Sequence, residues 1–182
     1  MPKTLILVAH PQMDASRANK ALLAAVWRRP GIEIVDLYDA SPDGQIDVEA
    51  QVRLLLDADR IVLQFPMQWY STPPLLKEWQ DQVLTRMIYL AFEREGRLLE
   101  GKPILVAVTA GAPERAYAPD GSNRFSVAEL LKPLEATAHR CGLQWQEPFV
   151  LYDSRDASDE ALRLSGERYA GRLCDLSLTL AA

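Results

Sequence analysis

The chain has 182 residues, 48% of them hydrophobic and 25% charged, which is enough for one well-buried core and unlike a disordered protein. Its formal net charge of -5 argues against nucleic acid as a partner, because a phosphate backbone is bound through a basic surface. No apolar run reaches the length of a membrane-spanning helix, and Cys141 and Cys174 lack metal-ligand spacing and fit a reducing cytoplasm.

The opening "MPKTLILVAHPQ" has an apolar run too short for a signal-peptide core and reads as a first strand, 4–9. A helix follows over 16–31, with Ala18, Leu22, Leu23, Val26 and Trp27 at helical spacing, Ser16 as N-cap and Pro30-Gly31 as the stop. Strand 32–37 leads to a helix over 47–59, whose Val48, Val52, Leu55 and Leu56 form one stripe, and then to strand 60–65. Pro73 and Pro74 open a helix over 73–92 that carries Leu76, Trp79, Val83, Met87 and Leu90 on one face. Strand 103–109 precedes a helix over 125–142, which Pro133 should kink or stop and Gly142 should cap. Strand 148–152 and a helix over 158–178 close the chain.

The strands are continuously apolar rather than alternating, as in a parallel sheet covered on both faces. Five strands alternating with helices, with no repeat and no long linker, predict one α/β domain over 1–182 built on a doubly wound sheet. In such a sheet, ligands bind at the carboxyl ends of strands near the switch point. That directs attention to the turns after the first, third and fourth strands.

After the first strand, "AHPQMDASRANKAL" lacks the G-x-G-x-x-G dinucleotide fingerprint but starts a helix near Ser16. Its free N–H groups suit an anion, with Ser16, Arg17 and Asn19 as further phosphate contacts; plain capping and surface exposure are the other reading. His10 is either a structural histidine or part of the site. After the third strand, "PMQWY" ends ladder pairing at Pro66 and leaves the N–H groups of Met67 to Tyr70 in need of acceptors. Trp69 and Tyr70 offer aromatic surface either to their own loop or to a flat ligand. After the fourth strand, Ala110, Gly111 and Ala112 permit close backbone approach, and the long loop beyond them carries Tyr117. Tyr117 either donates a hydrogen bond to a substrate oxygen or shields the site. Together the turns match a phosphate and a planar, acceptor-rich ring. No acyl-transfer elbow, metal-ligand cluster or Walker loop competes with this reading.

The segments "AHP", "SRANKAL", "ADRIVLQFPMQWYSTPPLLKEWQDQV" and "TAG…AY…G…F…ELLKPLEATAHRCG" resemble the flavodoxin-like NAD(P)H:quinone oxidoreductase family. Within it the chain looks most similar to the KefF/KefG-type ancillary proteins of glutathione-gated potassium efflux and their free-standing bacterial relatives. The likeness spans roughly 5–149. It implies a flavodoxin-like sheet of order 2-1-3-4-5, and FMN held at a homodimer interface. It also implies hydride transfer from NADH or NADPH and reduction of quinones by a ping-pong exchange. Carried over by motif, phosphate and ribityl contacts fall on His10, Ser16, Arg17, Ala18 and Asn19. Ring contacts fall on Met67, Gln68, Trp69, Tyr70, Thr109, Ala110, Gly111 and Ala112. Tyr117 is the catalytic candidate from its place in the loop after the fourth strand, not from the motif. The chain departs from the family in two places. Thr109-Ala110-Gly111-Ala112 stands where relatives read T-T-G-G, and an alanine in the last place adds a methyl group and disfavours positive φ. "RMIYLAFEREGRLLEGK" replaces a glycine-rich segment that borders the flavin in relatives. Alternatives are a regulatory subunit docked on a membrane transporter, with incidental activity, and a non-flavin descendant using the same cleft.

Overall fold

Strand β1 (Thr4–Val8) is buried along its whole length, with Leu5 and Leu7 turned to one face and Ile6 and Val8 to the other. Continuous hydrophobicity thus serves two cores at once. The structure, a computed structural model, describes residues 2–178; Met1 and 179–182, the ends of the expected domain, lie outside the described residues. Strands β2 (Ile32–Asp36), β3 (Arg60–Pro66) and β4 (Pro103–Thr109) join β1 in a parallel sheet of order β2-β1-β3-β4. The outer place beside β4 is shared by β5 (Gln144–Trp145) and β6 (Phe149–Leu151), which pair with its beginning and its end. The expected order 2-1-3-4-5 holds, with the last strand in two pieces. Pro148 lies between them and has no N–H to give a ladder. A two-residue strand is too short to show a period, so β5 left no sequence signal.

Helices cover both faces. Helix α1 (Arg17–Ala24) begins at Ser16, whose hydroxyl accepts the Asn19 N–H at 3.2 Å as the cap pattern predicts. Regular turns stop at Ala24, before the predicted end, and leave Trp27 67% exposed rather than on the buried stripe. β2 ends one residue early because the Asp36 carboxylate caps a short helix, α2 (Leu37–Ala40). Helix α3 (Val48–Asp57) leads into β3, and α4 (Pro74–Trp79) starts with proline in its first turn. The predicted helix 125–142 is two, α5 (Val127–Leu130) and α6 (Lys132–Arg140), broken at Leu131 just before Pro133. Gly142 closes α6 at φ 70°, the left-handed stop that glycine allows. Helix α7 (Asp159–Leu178) packs with α1 over Ile6, Val8, Val62, Leu105 and Ala107, while α3, α4 and α6 cover Leu5, Leu7, Leu63, Val106 and Val108.

The helix predicted over 73–92 continues past α4, but in π-helical turns over Gln80–Leu84 and Arg86–Leu90, with Ala91 N–H reaching back five residues to the Arg86 carbonyl at 2.9 Å. Wider turns change the period of the buried stripe. Leu90, inward at a period of 3.6, is 76% exposed, and Ile88 and Ala91 are buried instead.

Candidate functional site

Chain pairing continues just past the strands. Ala9 N–H donates to the Gln64 carbonyl, Met67 N–H to that of Thr109 and Ala110 N–H to that of Leu151, each at 2.9 Å. The turns after β1, β3, β4 and β6 therefore leave the sheet at one edge. β2 and β3 lie on opposite sides of β1, which makes this edge a topological switch point. A cleft lies there in two connected parts, of about 680 and 410 Å³, sharing Met67, Gln68, Gly111 and Arg155.

The smaller part lies at the start of α1. His10, Ser16, Arg17, Ala18 and Thr109 line it, and the N–H groups of Arg17 and Ala18 have no acceptor among the described residues, as expected for a first helical turn. Ser16 both caps α1 and lines the cleft. Arg17 is held by an ion pair to Asp159 at 2.6 Å. His10 accepts the Gln12 N–H at Nδ1, 3.0 Å away, which leaves its proton on Nε2. Burial lowers its pKa, so the ring is neutral at pH 7.

The larger part is walled by the aromatic turn. Gln68 and Ser71 exchange both backbone hydrogen bonds at 3.0 Å, and Trp69 and Tyr70 between them have φ of 47° and 64°. This is the geometry of a two-residue primed turn, normally built from Asn and Gly. The sequence expectation needs correcting here, because Met67 and Gln68 N–H groups are already paired. Only those of Trp69 and Tyr70 lack an acceptor among the described residues. Trp69 is 93% exposed, so it does not pack under its loop. Across the cleft, the N–H groups of Gly111 and Ala112 also lack acceptors among the described residues. Neither residue has positive φ, so alanine at 112 strains nothing. Tyr117 reaches this part from the loop after β4, and burial raises its pKa, which keeps its hydroxyl a donor. Tyr70 donates from its hydroxyl to Asn123 Oδ1 at 3.2 Å and so ties that loop to the aromatic turn.

Two expected contacts are elsewhere. Asn19 is buried beneath the cleft and borders neither part: its amide nitrogen donates to Thr109 Oγ1 at 3.0 Å, and Gln64 Nε2 donates to its Oδ1 at 3.2 Å. It fixes the start of α1 to the ends of β3 and β4. Ala110 is also fully buried and outside the lining. Segment 86–102 borders neither part; Arg86 anchors it through ion pairs to Glu95 at 2.8 Å and Glu49 at 2.7 Å. Sequence reasoning missed Asn123, Ser154 and Arg155. The only signal for the last two was that a strand ended just before them. Among the described residues the lining includes two arginines and no carboxylate, in a chain of net charge -5. Among the described residues, no cluster of three or more His, Cys, Asp or Glu side chains could hold a metal, and no helix is long and apolar enough to cross a membrane.

A family model described as flavodoxin-like fold matches residues 2–173. The chain is 42% identical over 176 residues to a Bacillus subtilis (strain 168) protein named as an uncharacterised NAD(P)H oxidoreductase, YdeQ, covering 97% of this chain and 88% of that one. It is 42% identical over 173 residues to the glutathione-regulated potassium-efflux system ancillary protein KefG of Cronobacter sakazakii (strain ATCC BAA-894), covering 95% and 93% of the two chains. Among solved structures, general stress protein 14 of Treponema denticola, in complex with FMN, superposes with a TM-score of 0.89 at 38% identity, covering 96% of this chain and 99% of that one.

Proposed function

The chain belongs to the flavodoxin-like-fold family, and from that membership we propose that residues 1–182 form one cytoplasmic domain that binds FMN and acts as an NAD(P)H oxidoreductase on quinones or similar electrophiles. The observation that carries this reading is the cleft at the switch point, bordered by separate turns whose N–H groups lack acceptors among the described residues and walled on one side by Trp69 and Tyr70. Its size suits a mononucleotide, and the orphan amides fit a phosphate at one end and an acceptor-edged ring at the other. The FMN bound to the Treponema relative supports the same ligand.

The start of α1, with Ser16, Arg17 and Ala18, would hold the phosphate, and His10 would offer Nε2–H beside it. Trp69, Tyr70, Gly111 and Ala112 N–H groups would hold the ring edge, with Met67, Gln68 and Thr109 completing its wall. Asn19 and Ala110 act from behind, as supports rather than contacts. FMN, once bound, supplies ping-pong hydride chemistry between NADH or NADPH and the acceptor. The protein orients it, and Tyr117 holds a proton on its hydroxyl within the ring half. The exposed aromatics of the cleft wall, Trp69 and Tyr70, are the surface we assign to a homodimer.

Protein purified with added FMN should retain it, shown by a flavin visible spectrum, and should oxidise NADH or NADPH with a quinone acceptor. A colourless protein that takes up no FMN defeats the cofactor assignment; a yellow one that oxidises neither nucleotide defeats the activity. A second reading, a regulatory subunit of a potassium-efflux transporter, is favoured by the likeness to KefG. Co-purification with such a transporter, retained by variants without redox activity, would support it.

A further inference from the structure

The loop after β6 brings a charged group into the cleft that none of the motifs contains. Asp153 N–H donates to the Ala112 carbonyl and Ser154 N–H to that of Ala110, both at 3.0 Å. These bonds extend the β4–β6 pairing and lock the two turns together. Asp153 then takes φ 56°, and its carbonyl accepts the N–H groups of Asp156 at 3.1 Å and Ala157 at 3.0 Å, which folds the chain back. Arg155 is thereby laid over Gly111. A Cβ built on that glycine would lie 3.0 Å from Arg155 Nε and 3.4 Å from its Cδ. The absence of a side chain at 111 is what lets the arginine stem cross there.

Arg155 borders both parts of the cleft and, among the described residues, is the only ionised side chain lining the larger one. Its positive charge is felt at the Tyr117 hydroxyl, which also lines that part. Arg17 is ion-paired to the exposed Asp159, whereas Arg155 has no hydrogen bond or ion pair among the described residues, and among them no carboxylate lines the cleft. The N-terminus of α1 also offers positive charge at the phosphate end, whereas at the ring end Arg155 is the only ionised lining side chain among the described residues.

Building on the FMN reading above, we propose that Arg155 sets the reduction potential of the bound flavin by offsetting the charge its ring gains on reduction. The hydride leaving NAD(P)H carries two electrons and one proton, and yields NAD(P)⁺ and a ring with one added negative charge. When a quinone takes that hydride and one solvent proton, the hydroquinone forms and the ring is neutral again. A guanidinium beside the ring favours its reduced form, and because Arg155 is exposed, water screens part of its charge.

The test compares wild type, R155Q and R155K, each loaded with FMN and separately with riboflavin. Midpoint potentials are measured by spectroelectrochemistry, and dissociation constants by flavin fluorescence. R155Q should lose about tenfold in preference for reduced over oxidised flavin, which makes the two-electron potential about 30 mV more negative. R155K, which keeps the charge, should stay within about threefold of wild type, and riboflavin should show the same pattern as FMN. An unchanged potential in R155Q overturns the proposal, as do equal shifts in R155Q and R155K. A loss seen with FMN but not riboflavin also overturns it, since Arg155 would then be a phosphate ligand. Failure of wild type to bind either flavin instead removes the reading on which the proposal rests.

Discussion

Trp69 occupies a left-handed position that a bulky L-residue rarely takes, in a turn where Asn would suit the backbone better. Trp69→Asn therefore tests whether the aromatic turn is held at a cost to stability. Left-handed geometry costs a side chain about 1–2 kcal/mol, and Asn recovers most of this. Little packing is lost in exchange. With Trp69 93% exposed, its buried remainder is worth less than about 0.5 kcal/mol at about 25 cal/mol/Å². The net expectation is a gain of about 1 kcal/mol in the cofactor-free protein, a rise of about 2–4 °C in Tm for a chain of this size. Tyr70→Asn is the control, because it relieves similar strain but removes both the hydrogen bond to Asn123 at 3.2 Å, worth about 0.5–1.5 kcal/mol, and the packing of a side chain only 46% exposed, and should lower Tm. The assay is thermal unfolding of flavin-free protein, with FMN affinity measured alongside and expected to fall in Trp69→Asn. If Trp69→Asn melts at or below wild type, the turn is not strained and the argument that function maintains it fails.

Other perturbations read other parts of the molecule. The Tyr169 hydroxyl is fully buried in the α1/α7 core with no partner among the described residues, so Tyr169→Phe should be neutral or stabilising by about 1 kcal/mol in urea unfolding. Burial pushes the Cys141 thiol up from 9.0 to about 11. Above pH 9 the unfolded thiol loses its proton while the folded one keeps it, so stability falls as pH rises from 9 to about 11. Cys141→Ala should flatten that part of the stability profile, measured as urea midpoints at intervals across this range. A Cβ at Gly121 would overlap the carbonyls of Arg115 and Ala116, so Gly121→Ala must displace the Tyr117 loop. It should cost about 1–3 kcal/mol and weaken FMN binding, seen by calorimetric titration.

What the sequence determined was what local chemistry controls. Apolar runs such as "TLILV" and "RIVLQF" marked the strands, Ser16 and Pro74 marked helix starts, and Gly142 marked a helix end. Because strands alternating with helices wind only one way, the same pattern also placed "PMQWY" and "TAGA" at one edge. Tertiary structure decided what depends on register and side-chain direction. Pattern alone could not say that Asn19 turns inward to Gln64 while its neighbour Ala18 lines the cleft. Nor could it show that widened helical turns push Leu90 out and draw Ile88 in. Arg155 is the clearest case: no motif marks it, and it meets Gly111 only because β6 pairs with β4 in one register, Thr109 against Leu151. A period or a cap is set by residues within one turn of the chain, whereas that meeting is set by hydrogen bonds between segments more than forty residues apart.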